Sequence, residues 1–151
     1  MSSERERVDA EGWKGELPNP SIGVVANALD SVASLERVKE VMRLVAAEAD
    51  AGSWSTDDEW MRKLPSWFVE PFNGRTVEDV LKDEDLWDFG SWLDAMKQRG
   101  WTWWASECDG KSWKVILERH EEVYSIEPLI YLVRQSGAAS VEVTEDPVPS
   151  F

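Results

Sequence analysis

A Ser–His–Asp or Cys–His mechanism in this chain would have to use His120 as its base, because it is the only histidine. Cys108 is the only cysteine, and the two flank one predicted hairpin, so they are the natural pair to weigh as nucleophile and base. Neither lies in a catalytic motif. There is no G-x-S-x-G elbow and no family-type cysteine signature around Cys108. A lone histidine at the charged end of a strand is ordinarily a surface residue. His120-Glu121-Glu122 matches the H-x-E half of the zinc-deaminase signature, but the P-C-x-x-C half is missing and one cysteine cannot supply two thiolates. A zinc site of Cys and His ligands therefore fails on ligand count. Asp83-Glu84-Asp85-Leu86-Trp87-Asp88 is dense in carboxylates, yet it lacks the central glycine and the twelfth-position glutamate of an EF-hand loop. Phosphate-cradling glycine loops are absent too. No metal, no cofactor and no catalytic residue is expected. Carboxylates beside stacking tryptophans leave a glycan-acting enzyme as a minor alternative, with no acid pair distinguished by its surroundings.

The charge is more informative. Sixteen Lys and Arg stand against 30 Asp and Glu in 151 residues, a net of −14. Nucleic-acid affinity comes largely from cations that displace counterions along phosphates, and the only adjacent bases here are Arg62 and Lys63. Direct binding to nucleic acid or to an anionic membrane surface is disfavoured. A basic protein partner is favoured, because opposite charges steer association. Between Val77 and Ala95 seven acids face Lys82 alone, a local net of −6. Further clusters are Asp57-Asp58-Glu59 and Glu118, Glu121 and Glu122.

Ten tryptophans accompany this charge. Trp is rarely fully buried, and exposed Trp in a charged surround resembles a binding hot spot. Trp101 and Trp113 are expected in the core. The expected partner-binding residues are Glu78, Asp79, Asp83, Glu84, Asp85, Trp87 and Asp88, with Trp60 and Trp104. The function these features favour is a non-catalytic acidic inhibitor that binds another protein. It would be an immunity protein or antitoxin neutralising a basic toxin such as a nuclease, or a phage anti-defence inhibitor whose carboxylates imitate phosphate. The alternative is a structural or assembly subunit, a homo-oligomer or a member of a larger complex.

The elements that must position these residues follow from periodicity. Residues 1–20 are polar and end in Leu17-Pro18-Asn19-Pro20, which predicts a flexible lead. Val24, Ala28, Ser31, Leu35, Val38, Met42 and Val45 recur at helical spacing, predicting helix over 21–49, either whole or divided near Asp30, Ser31 and Ser34, with Gly52 as its stop. Thr56-Asp57-Asp58-Glu59 reads as a capping box opening a helix to Lys63, and a further turn follows over 66–72. A short helix is predicted from Thr76 to about Lys82, and another carries Leu86, Phe89, Leu93 and Met96, with Gly100 as its cap.

The period then switches to two. Trp101, Trp103 and Ala105 share one face of a strand, Asp109-Gly110 turns it, and Trp113, Val115 and Leu117 line the return. Ser125 is the expected cap of a helix bearing Ile126, Leu129, Ile130 and Val133, and Val141 and Val143 suggest a last strand. The expected fold is α+β. A helical N-terminal half packs with a small antiparallel sheet in a helix–strand–strand–helix–strand C-terminal half. One domain over 21–144 is expected, with an irregular tail over 145–151. No apolar run reaches the ~20 residues of a membrane span, and the first fifteen residues hold no apolar core, so a cytoplasmic location is expected.

Overall fold

A computed structural model of the chain describes residues 3–10, 12, 17–18, 20–73, 78 and 87–145. Among them four strands form one sheet: β1 (Ser21–Asn27), β2 (Trp101–Asp109), β3 (Ser112–Arg119) and β4 (Ser140–Glu145). Six helices accompany them: α1 (Glu4–Asp9), α2 (Ser31–Ala51), α3 (Asp57–Lys63), α4 (Ser66–Asn73), α5 (Phe89–Lys97) and α6 (Glu127–Gln135). The strand order is β2-β3-β1-β4, and every pairing is antiparallel. The protein is α+β. The path β1–α2–β2–β3–α6–β4 through this sheet is the split βαβ, ferredoxin-like connectivity, with α3, α4 and α5 inserted between α2 and β2.

The largest difference from the sequence reading is β1. The expected helix over 21–49 begins only at Ser31. Ser21–Asn27 is instead a central strand between β3 and β4, buried along nearly its whole length. Ile22, Val24 and Val25 are β-branched, which suits a strand covered on both sides, and such a strand reads as a continuous apolar run without alternation. Its Val24-to-Ala28 spacing joins the true helical stripe by coincidence. Asp30 marks the real boundary: its carboxylate accepts from Ala33 N at 3.0 Å and caps α2. Gly52, in the left-handed region at φ 73°, ends the helix as expected.

The lead is also not irregular throughout. α1 is capped by Ser3 and buries Val8 and Glu4. The Thr56 capping box is present in full, with Thr56 Oγ1 accepting from Glu59 N and Thr56 N donating to Glu59 Oε1, both at 3.2 Å. Two expected caps are displaced. Gln98, not Gly100, caps α5. Gly100 instead takes φ 78° two residues later, against the backbone of Val123 and Tyr124. Ser125 does not cap α6. The cap position is Ile126, with no side-chain hydrogen bond, and Pro128 lies in the first turn. The helix expected from Thr76 to Lys82 falls almost wholly outside the described residues, as does Leu86.

The core lies between the sheet and the helices. Ile22, Val24 and Ala26 of β1 pair with Leu117, Val115 and Trp113 of β3, and all six are buried. Trp113 Nε1 donates to Ser34 Oγ of α2 at 3.0 Å, Ser34 and Ser136 hydroxyls meet at 2.7 Å, and Ser136 Oγ donates to Val133 O at 2.6 Å. This buried chain ties β3, α2 and α6 with its polar groups satisfied. A second cluster is aromatic: the Phe68 ring of α4 lies 4.7 Å from Trp92, 5.4 Å from Phe72 and 6.0 Å from Tyr131. In β2 a register shift between Trp103 and Ala105 breaks the alternation, so that Ser106 and Cys108 face the helices as Trp101 and Trp103 do.

Candidate functional site

Asp57 and Asp88, one from each of two acidic segments, converge at the N-termini of α3 and α5. Thr56 caps α3, and Asp57, Asp58 and Glu59 fill its exposed first turn. Acids there are favoured by the helix dipole. Asp88 caps α5, accepting from Ser91 N at 3.1 Å. Gly90 lies between the two ends: a methyl group added to it would sit 3.4 Å from Asp57 Oδ2 and 3.5 Å from Asp88 Oδ2. Two carboxylates separated by 31 positions in sequence are thus brought to one place. Among the described residues no Lys or Arg nitrogen forms an ion pair with Asp57, Asp58, Glu59 or Asp88.

Hydrogen bonds favour the charged form of two of these acids, Asp88 and Glu59. The Ser91 side chain, and then its backbone N–H, hold the Asp88 carboxyl below its ordinary value. The backbone N–H and hydroxyl of Thr56 do the same for Glu59. Aromatic rings border the junction. Trp87 precedes Asp88, half-buried against the core. Trp54 lies 6.1 Å from Trp60, with Lys97 Nζ 5.7 Å over its ring.

The expected contact residues divide as follows. Glu78, Trp87 and Asp88 are described, with Glu78 and Asp88 exposed. Asp79, Asp83, Glu84 and Asp85 lie outside the described residues. Trp60 is a correction: it is fully buried, with Lys63 Nζ 5.4 Å over its ring, because α3 turns it inward. It presents no free face as an anchor. Trp104 sits at the β2 bulge, half-buried, with the Arg7 guanidinium 5.5 Å over its ring. It belongs to the α1–β2 contact and not to the α3–α5 junction. Trp101 and Trp113 are in the core as expected. Among the described tryptophans five are fully buried and Trp54, Trp67, Trp87 and Trp104 are half-buried, so the domain absorbs more indole than its size suggested. The residue missing from the expected contact set is Asp57. Its charge is plain in sequence, but its meeting with Asp88 is not.

His120 and Cys108 do not come together. Cys108 pairs with Trp113 near the turn, whereas His120 bonds Thr102 at the opposite end of β2, Oγ1 to Nε2 at 2.7 Å. Six residues of strand separate Thr102 from Cys108, about 20 Å at the usual rise. Glu118 Oε1 approaches the same His120 Nε2, at 3.8 Å. A hydrolytic triad needs the carboxylate on the other ring nitrogen, so this group has no relay geometry. Among the described residues no three His, Cys, Asp or Glu converge as metal ligands, and no helix is long and apolar enough to cross a membrane. No protein-family model, curated protein or solved structure matches the chain.

Proposed function

We propose that the protein is a non-catalytic acidic binding protein that occupies a basic surface of another protein. Its class would be that of an immunity protein or antitoxin, or of an inhibitor whose carboxylates stand in for phosphate. The observation that carries this reading is the convergence of Asp57 and Asp88 at Gly90, from two helix ends, in a chain of net charge −14. Placing like charges together costs free energy in the isolated protein, and a cationic partner would recover it. The hydrogen bonds that keep Asp88 and Glu59 ionised support the same role.

The assembly reading draws on a different surface. Leu29 is 94% exposed and Val32 64% at the corner between β1 and α2, and Val143 is 40% exposed on the edge strand β4. Apolar side chains there would suit a second copy.

The test is capture from host lysate with the tagged full chain, run beside an Asp57→Lys/Asp58→Lys variant. Both positions are exposed and neither is a cap, so the variant is expected to stay folded. A stoichiometric basic partner, lost in high salt and lost with the variant, is the expected result. A partner retained by the folded variant would remove the junction from the interface. No partner, together with a dimer mass in solution, would replace this reading with the assembly one.

A further inference from the structure

Between the first turns of α2 and the end of β2 lies a cleft of about 410 Å³. Val32, Leu35, Glu36 and Lys39 line it from the helix, and Ser106, Glu107 and Cys108 from the strand. The β2 bulge makes this wall. After the register shift Ser106 pairs with Val115 and Cys108 with Trp113, so both take the side of the sheet that faces α2.

Two polar groups here are under-compensated. Ser106 is 1% exposed, and its hydroxyl has no hydrogen-bond partner among the described residues. Lys39 is 4% exposed, and its ion pair among the described residues is with Glu36 at 4.0 Å, the outer limit of such a contact. That carboxylate is shared, since its other oxygen lies 3.6 Å from Arg43. An unmet buried hydroxyl costs free energy, and a buried ammonium persists only where something answers its charge. An ammonium and a hydroxyl lining one cleft are the donors that an oxyanion needs. Leu35 and Val32 supply an apolar wall, and the volume falls within the ~300–1,000 Å³ of small-molecule sites.

We propose that this cleft binds a small organic monocarboxylate, with its carboxylate on Lys39 Nζ and Ser106 Oγ and its apolar chain along Leu35 and Val32. Glu36 and Glu107 at the cleft and the overall negative field select against a second negative charge on the ligand, which disfavours phosphate.

The test titrates the full chain with sodium hexanoate and follows backbone amide shifts, with hexan-1-ol and inorganic phosphate as controls. Hexanoate is expected to saturate, to move the amides of Lys39, Ser106 and Cys108, and to slow alkylation of Cys108 by iodoacetamide. Lys39→Met and Ser106→Ala are each expected to weaken it by about tenfold, the scale of one charge-assisted hydrogen bond. If Lys39→Met fails to fold, Ser106→Ala decides. The proposal is overturned by the absence of saturable shifts, by hexan-1-ol or phosphate binding as tightly as hexanoate, or by a folded Ser106→Ala protein of unchanged affinity.

Discussion

Glu4→Ala is expected to destabilise the protein by about 3–5 kcal/mol, the usual cost of removing one partner from a buried ion pair. The Glu4 and Arg99 side chains are only 5% and 6% exposed. One carboxylate oxygen meets Arg99 Nη2, and the other accepts the Trp103 N–H at 2.8 Å. Arg99 also donates through Nε to Trp101 O at 2.7 Å, which holds the guanidinium in place once its counter-ion is gone. The substitution thus strands a buried cation and a buried N–H together. The cost is not the net worth of the pair. Burial pushes the Glu4 carboxyl above its ordinary 4.5, and the Arg99 charge and the Trp103 N–H pull it back only in part. At roughly 2–4 °C per kcal/mol for a chain of this size, the melting temperature should fall by about 6–20 °C. Urea unfolding followed by tryptophan fluorescence measures the loss. Arg5→Ala, on the exposed side of α1, should stay within about 0.5 kcal/mol. A loss below about 1 kcal/mol for Glu4→Ala is what an exposed pair gives, and it would refute the docking of α1 against β2.

Trp101 is 1% exposed and its indole N–H reaches Ser125 O at 2.6 Å, so Trp101→Ala should cost about 3–5 kcal/mol in the same unfolding assay. Asp88→Asn tests the ionised cap, because Asn caps a helix about as well as Asp. Hydrogen bonds from Ser91 lower the folded pKa of Asp88 below 3.8, so its charge contributes stability above 3.8 and loses it as pH falls through the folded value. The advantage of wild type over Asp88→Asn should therefore be present at neutral pH and vanish in strong acid; an advantage that persisted in acid would show that the charge is not its source.

Local chemistry made much of the fold legible. The Thr56 capping box, the Gly52 stop and the Asp109-Gly110 hairpin each depend on contacts within a few residues, and each appears where its pattern places it. The period-two run from Trp101 holds only to Trp103, because the bulge turns Ala105 away from the face it was expected to share and brings Ser106 onto it. β1 was illegible for a physical reason. A strand buried on both faces carries no alternation, and Val24 and Ala28 extend the α2 stripe by chance. Only a short apolar run between Pro20 and Asn27, with Asp30 after it, hinted at a strand. α1 was missed because six polar-rich residues have no stable helix of their own. Val8 and the Glu4–Arg99 pair hold it, across about ninety residues of chain.

The same division runs through the candidate sites. Sequence alone determines the net charge of −14, the clustering of acids and the absence of catalytic motifs, because these are properties of composition and short spacing. Only tertiary structure decided that Asp57 meets Asp88 at Gly90, that Trp60 turns inward, and that Cys108 and His120 lie at opposite ends of a hairpin. It also decided that a bulge in β2 turns an unmet Ser106 toward the cleft lined by Lys39. Each of these depends on which elements pack together and in what register, and a one-residue shift in a strand reverses which side its residues face.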